Sequence, residues 1–217
     1  MILSIETGHA ICSVCLDDGQ TFLYREAEHT FAHGRMLTVF IQQLMEEAGI
    51  SFNQLDAVAY SAGPGSYTGL RIGLSVAKGI CWAAEKPLIA VSSMQAMALY
   101  AQQKTENLTA DWTVWINARH GRVYAAVYDA TLHTVSHPTV ITLNKPHSID
   151  GLFLTMDDPE ALRLLCTGVP AAYLPNNHTA KEIAQIARYL YIKKYYVDLK
   201  TNEPEYVTGF GLNFLTK

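Results

Sequence analysis

The chain has 217 residues, 49% of them hydrophobic and 17% charged, and carries a formal net charge of −4. That length is enough to bury a sizeable core in one or two small domains, and the composition excludes a disordered chain. The mildly acidic balance makes no electrostatic case for binding nucleic acid alone.

The N-terminus, Met1–Glu6, has neither a basic leader nor a long apolar stretch, and it reads as a first strand. No apolar run approaches the roughly 20 residues of a membrane span, so a cytoplasmic location and no membrane contact are the default. Ile2–Glu6, Ile11–Leu16 and Gln20–Arg25 read as three strands, with turns at Gly8 and Asp17-Asp18-Gly19. A helix over Arg35–Ala48 follows, then a buried strand over Leu55–Ser61. Next come a glycine loop at Ser61–Gly69, a helix over Leu70–Ala84 and a strand over Pro87–Val91. A helix capped by Ser92 or Ser93 runs to about Gln103.

The order βββαβαβα predicts an α/β fold with a mixed sheet and helices packed on it. By fold-level analogy this is the actin-like (ribonuclease H-like) arrangement. A polar stretch over Gln102–Asp111 reads as a linker. It divides an N-terminal lobe, 1–104, from a smaller C-terminal lobe, 105–217, whose last helix has the option of packing back on the first lobe. In the second lobe, Thr113–Asn117 and Arg122–Asp129 read as a hairpin around Arg119-His120-Gly121. Val135–Leu143 adds a strand, Pro146–Pro159 is loop-rich, and Pro159–Leu165 has helical character. Cys166–Val169 reads as a short strand and Thr179–Tyr195 as a helix. No internal repeat is visible.

Two helices have apolar faces wider than a single core contact needs. Met36, Leu37, Phe40, Ile41, Leu44, Met45 and Ala48 cover about half of the first. The second has only a thin polar stripe of Arg71, Ser75 and Lys78, and it contains Gly73 and Gly79, each unfavourable by about 1 kcal/mol against alanine. Burial inside one domain explains this pattern, and so does a subunit interface.

Other constellations are weaker. The loop Gly63-Pro64-Gly65-Ser66-Tyr67-Thr68-Gly69 has no lysine in a phosphate-loop frame. Gly63, Gly65, Ser66 and Thr68 are its candidate phosphate contacts, against a structural use in a tight turn. His29 and His33 have helical metal spacing but no intervening glutamate. Cys12 and Cys15, three apart on a strand, point to opposite faces, so a shared metal or disulfide is disfavoured. With Cys81 and Cys166 they read as free thiols. Arg119, His120 and Arg122 form a small basic hairpin tip. Tyr189–Tyr196 interleaves aromatic and basic residues, read as helix packing with lysine heads in water rather than as an RNA-stacking surface.

Ser61–Gly79, the continuation Pro87–Met94, the strands over Ile2–Leu16 and the hairpin Asn117–Tyr124 resemble the TsaB (YeaZ) family over roughly Met1–Asp129. The resemblance implies an actin-like fold of two lobes and a non-catalytic role. Members partner TsaD, a paralogous metalloenzyme, and with TsaE they install the threonylcarbamoyl group on adenosine 37 of tRNA. TsaB would then reach tRNA only through the complex. It implies docking to TsaD, or as a homodimer in its absence, through the two N-lobe helices. The expected interface is Met36, Leu37, Phe40, Ile41, Leu44, Leu70, Arg71, Leu74, Ala77 and Lys78.

No catalytic residue, metal ligand or cofactor of its own is expected, and ATP or ADP at the complex interface is left open. The HxxxH metal pair of TsaD-like paralogues corresponds here to Ser93 and Met97, which are weak donors. Glu6 stands where the superfamily usually has Asp, and Asn117 where this family often does. Tyr206-Val207-Thr208 lacks the arginine of the usual ending. The alternatives are a metal-dependent peptidase-like enzyme and an ATP-hydrolysing actin-fold enzyme.

Overall fold

The computed structural model describes residues 1–27, 33–105, 111–119, 122–142, 152–155, 173–175 and 177–205. The chain forms two compact units. The first holds Met1–Ala96 and His178–Pro204, and the second Met97–Asn177 and the residues from Glu205.

The first unit carries β1 (Ile2–Glu6), β2 (Cys12–Asp17), β3 (Phe22–Ala27), α1 (His33–Ala48), β4 (Ala57–Gly63), α2 (Tyr67–Ala84) and β5 (Leu88–Ser92). A single 3-10 turn at Phe52–Gln54 joins α1 to β4. The sheet order is β3-β2-β1-β4-β5. β1 is antiparallel to β2 and parallel to β4, and β4 is parallel to β5. β1, β2 and β4 are buried along their whole length, so both faces of each carry mostly apolar residues, with Ser4, Glu6, Ser13, Asp17 and Ser61 as buried polar exceptions. β3, at the edge, is half-exposed.

Strand alternation sorts the two faces of this sheet. Leu3, Ile5, Cys12, Val14 and Leu16 join one core with Leu37, Phe40, Leu44, Leu74 and Ala77 of α1 and α2. The other face of β2 meets the last helix, α4 (Ala180–Ile192), where Cys15 packs with Ala180 and Ala184. Thr179 caps α4, and Glu182 reaches back to the Thr179 amide, completing a capping box. Arg188 ties the helix to the sheet by donating from Nε to Oδ2 of the buried Asp17 at 2.5 Å.

The second unit contains β6 (Trp112–Arg119), β7 (Arg122–Tyr128), β8 (Thr134–Thr142), β9 (Leu152–Thr155) and β10 (Tyr173–Pro175), ordered β10-β9-β6-β7-β8. β6–β7 and β7–β8 are antiparallel, while β6–β9 and β9–β10 are parallel. Read from its other edge, this is the connectivity of the first sheet again. The duplication is topological and has no counterpart in the sequence pattern. Each unit thus has the mixed sheet of an actin-like α/β fold.

Several expected boundaries move. Helix α3 (Ser93–Lys104) runs without a break past Ala96, where the compact units divide, so the polar stretch after Gln102 is not the boundary. His178–Pro204 belongs to the first unit because the apolar face of α4 needs the open side of that sheet. The segment read as loop between Pro146 and Pro159 holds β9, a strand too short to show a period. The expectations for His29, the side chains of His33 and Arg119, His120, Pro159–Leu165, Cys166–Val169 and Tyr206–Thr208 lie outside the described residues. Among the described residues, no helix is long and apolar enough to cross a membrane.

Candidate functional site

The glycine loop follows β4 and is bolted to the turn after β1. The Ser66 amide donates to the Gly8 carbonyl at 2.6 Å, and Thr7 Oγ1 donates to the Gly69 carbonyl at 2.8 Å. A Cβ on Gly65 would lie 2.4 Å from Gly8 O, one on Gly69 2.0 Å from Thr7 O, and one on Gly73 2.3 Å from Thr7 Oγ1. Gly63 has φ 110°, in the region that favours glycine. The Ser66 side chain caps α2 by accepting from Gly69 N, and Thr68 is exposed. These contacts and the φ of Gly63 give Gly63, Gly65, Ser66, Gly69 and Gly73 each a use in the turn and in close packing.

The expected docking residues need correcting. Leu37, Phe40, Ile41, Leu44, Leu70, Leu74 and Ala77 are all buried in the first unit. The breadth of the α1 face is used within the chain, because α1 packs on β2 and β3 and also against α2. Of the ten residues, Arg71 is exposed, while Met36 and Lys78 are half-buried. Lys78 Nζ donates to the Lys200 carbonyl at 3.5 Å.

The outward side of α2 presents a different set. Tyr67, Arg71, Ser75, Gly79 and Trp82 are exposed, at intervals of three or four residues that make one stripe. The Arg71 guanidinium lies 4.4 Å from the Tyr67 ring centroid. Trp82 is 66% exposed. A Cβ on Gly79 would meet nothing within 4 Å, so no contact among the described residues requires a glycine there. Beside the stripe, a groove of about 720 Å³ is lined by Ile41, Met45, Ile50, Phe52, Val76 and Ile80, with polar residues at its rim. A second, of about 380 Å³, is lined by Phe52, Gly79, Ile80 and Ala83. Together they give an apolar, small-residue surface next to a bare indole.

The positions corresponding to the paralogues' metal pair do not fit an ion. The Ser93 hydroxyl is buried and 2.6 Å from that of Ser61, and Met97 is buried. A second titratable group escaped sequence reasoning. Glu6 ends β1 on the face that meets α4 and is fully buried. Its Oε1 accepts from the Gly8 amide at 2.5 Å, and its Oε2 lies 3.1 Å from Nε2 of the fully buried His178. His9 packs its ring on His178, with centroids 4.3 Å apart. Burial alone pushes the Glu6 pKa up. The hydrogen bond and charge of His178, the neighbouring His9 and the Gly8 amide outweigh it and bring the group down to about 2. Glu6 had been weighed only as a displaced aspartate. No spacing rule links it to a histidine far along the chain.

Two further expectations are placed by the structure. Cys12 and Cys15 do lie on opposite faces of β2, in separate clusters. Tyr189, Ile192, Tyr195 and Tyr196 are exposed, so they are not the packing residues expected; the buried part of α4 ends at Ala187. Lys193 Nζ stands 5.7 Å from the Tyr189 ring centroid.

Two lobes of one topology, with helices on the first sheet and a glycine loop locked to the first β-turn, define an actin-like α/β protein. Residues 28–164 match the family model described as "TsaD: tRNA N6-adenosine threonylcarbamoyltransferase". The chain is 37% identical over 143 residues to the tRNA threonylcarbamoyladenosine biosynthesis protein TsaB of Escherichia coli K12, covering 63% of this chain and 58% of that protein. It is 34% identical over 127 residues to the protein of the same name from Haemophilus influenzae, covering 57% and 51%. The matches thus span just over half the length of these relatives. YeaZ from Pseudomonas aeruginosa superposes with a TM-score of 0.81 over 94% of this chain and 98% of that one, at 22% identity, which speaks for the fold. The chain belongs to the family of that model, and over the matched stretch it is similar to the proteins named TsaB.

Proposed function

We propose that this chain is a non-catalytic docking subunit of the machinery that installs threonylcarbamoyl on adenosine 37 of tRNA. It works in the cytoplasm, binds and activates a TsaD-type transferase together with TsaE, and reaches tRNA only through the complex. In the partner's absence the same face pairs two copies of the chain, as self-complementary patches commonly do. The reading assigns this chain no cofactor of its own and leaves the boundary with the partner open to ATP or ADP.

The observation that carries the reading is the outward face of α2. An exposed mid-helix glycine is unfavourable by about 1 kcal/mol, and at Gly79 no contact among the described residues calls for it. It sits one turn from an exposed tryptophan and beside an apolar groove. A second backbone approaching at Gly79, with Trp82 as an anchor, uses all three features. The chemistry at Ser93 and Met97 supports the non-catalytic part, since a hydroxyl already engaged and a thioether are poor substitutes for imidazoles.

The test is co-purification with a TsaD-type partner, followed by tRNA modification with and without this chain. Trp82→Arg is expected to abolish the complex and the stimulation while leaving the thermal midpoint of the isolated chain unchanged. A Trp82→Arg chain that assembles and stimulates like the wild type overturns the reading.

A further inference from the structure

We infer that Glu6, His9 and His178 form a site for one divalent transition-metal ion of the Zn²⁺ class, joining the end of β1 to the entrance of α4. A carboxylate oxygen of Glu6 and one nitrogen from each histidine lie within 4.8 Å of one another. Three separate segments supply them: the last residue of β1, the turn after it, and the residue preceding the α4 cap.

The donor chemistry is right for such an ion. Two imidazoles and one carboxylate are a recurring set for zinc and related ions. The spacing is close to what a bound ion needs. Donors at about 2.1 Å from an ion, subtending about 95–110°, stand about 3.1–3.4 Å apart. The Glu6 Oε2 to His178 Nε2 separation is 3.1 Å, inside that range. The ion takes the place of the proton between these two atoms, and that proton leaves to solvent. His9 has the longest move, up to about 1.4 Å, taken as 4.8 Å less the upper spacing of about 3.4 Å. Its Nδ1 accepts from the Ile11 amide at 3.3 Å and its ring already leans on His178, on a half-buried turn beside the other two donors, so a short shift of that turn brings it onto an ion.

Burial supports the assignment. Glu6 and His178 have no exposed side-chain surface. A fully buried carboxylate–imidazole pair adds little stability over an apolar pair of the same volume, but it is what a buried metal centre requires. The Gly8 amide on Oε1 fixes the carboxylate and leaves Oε2 to the ion. The site is separate from the α2 docking face, and its failure leaves the docking reading standing.

The experiment uses the full chain, stripped with a chelator and titrated with Zn²⁺ by calorimetry, with Co²⁺ as the spectroscopic probe. The expected result is one ion per chain, a higher thermal midpoint with Zn²⁺, and the visible absorption of Co²⁺ in a low-symmetry nitrogen–oxygen site. His9→Ala, on a half-buried turn, is expected to fold and to bind at least tenfold more weakly without the Co²⁺ bands. His133→Ala, an exposed histidine elsewhere, is expected to bind like the wild type. Absence of binding by the wild type overturns the inference. So does undiminished binding by His9→Ala, or a loss that follows His133 instead.

Discussion

The amide of Ser66 and the carbonyl of Gly8 meet at 2.6 Å, and this hydrogen bond, with that from Thr7 Oγ1 to the Gly69 carbonyl, joins the glycine loop to the turn after β1. It forms because Gly65 has no side chain: the nearest atom to a Cβ there would be the same Gly8 oxygen, at 2.4 Å. Neither backbone can retreat, since β1 and β4 are neighbours in the sheet. Gly65→Ala and Gly69→Ala are therefore expected to destabilise the isolated chain by about 3 kcal/mol or more each, as a lowered urea midpoint. A change below about 1 kcal/mol at both positions would mean the loop is held open for a ligand and is not locked.

Leu74→Arg and Phe40→Glu look, on helical periodicity, like clean ways to break an interface. The structure predicts a different result. Leu74 and Phe40 are 6% and 7% exposed and belong to one core with Leu3, Val14 and Tyr60. Each substitution buries an unpaired charge, which costs several kcal/mol. Both variants should be insoluble or unfolded by circular dichroism before docking can be measured. A soluble variant with a native spectrum would show that the core is looser than its burial implies.

These two cases mark what was legible in the sequence. The strand and helix order of the first lobe was readable because its strands are short, largely apolar segments bounded by turn residues such as Gly8 and Asp17-Asp18-Gly19, and its helices carry apolar residues at helical spacing. The glycine loop was readable because strand-to-helix transitions need such residues. Direction was not readable. A broad apolar face on α1 has the same sequence whether it meets a sheet and a helix of its own chain or a foreign surface, and only burial separates the two. Gly79 stood out in the sequence as a costly helix glycine, but Trp82 is an ordinary residue in an apolar helix until its exposure is known. Glu6 and His178 come together only because α4 returns to the first sheet.

Three thiols give a pH dependence with a definite sign. Burial pushes Cys12 up to about 11, helped by the Glu6 charge. Burial and the Asp17 charge take Cys15 to about 12, and burial takes Cys81 to about 12. The reference value is 9.0, so each folded pKa lies above that of the unfolded chain. Their contribution to stability is full below pH 9 and is lost as pH rises toward 11 to 12, because the unfolded state gives up its protons first. The urea midpoint should fall over that interval, and less steeply in Cys15→Ala. At pH 8 these three thiols should resist a thiol reagent, leaving no more than one reactive cysteine, Cys166, in the native chain. Rapid labelling of two or more would contradict the burial.

Gly79 allows stability and docking to be separated at one position. It is exposed in mid-helix and a Cβ there meets nothing. Gly79→Ala should therefore stabilise the isolated chain by about 1 kcal/mol, the difference in helix propensity. Gly79→Leu should leave the fold intact but hold a partner's backbone away from α2. Its affinity for a TsaD-type partner, or for a second copy, should fall at least tenfold by calorimetry or sedimentation. A glycine retained only by chance would give the same gain in stability with Ala and no loss of affinity with Leu. Loss of affinity alongside unchanged or greater stability is what a docking face demands, since a defect in folding would lower both together.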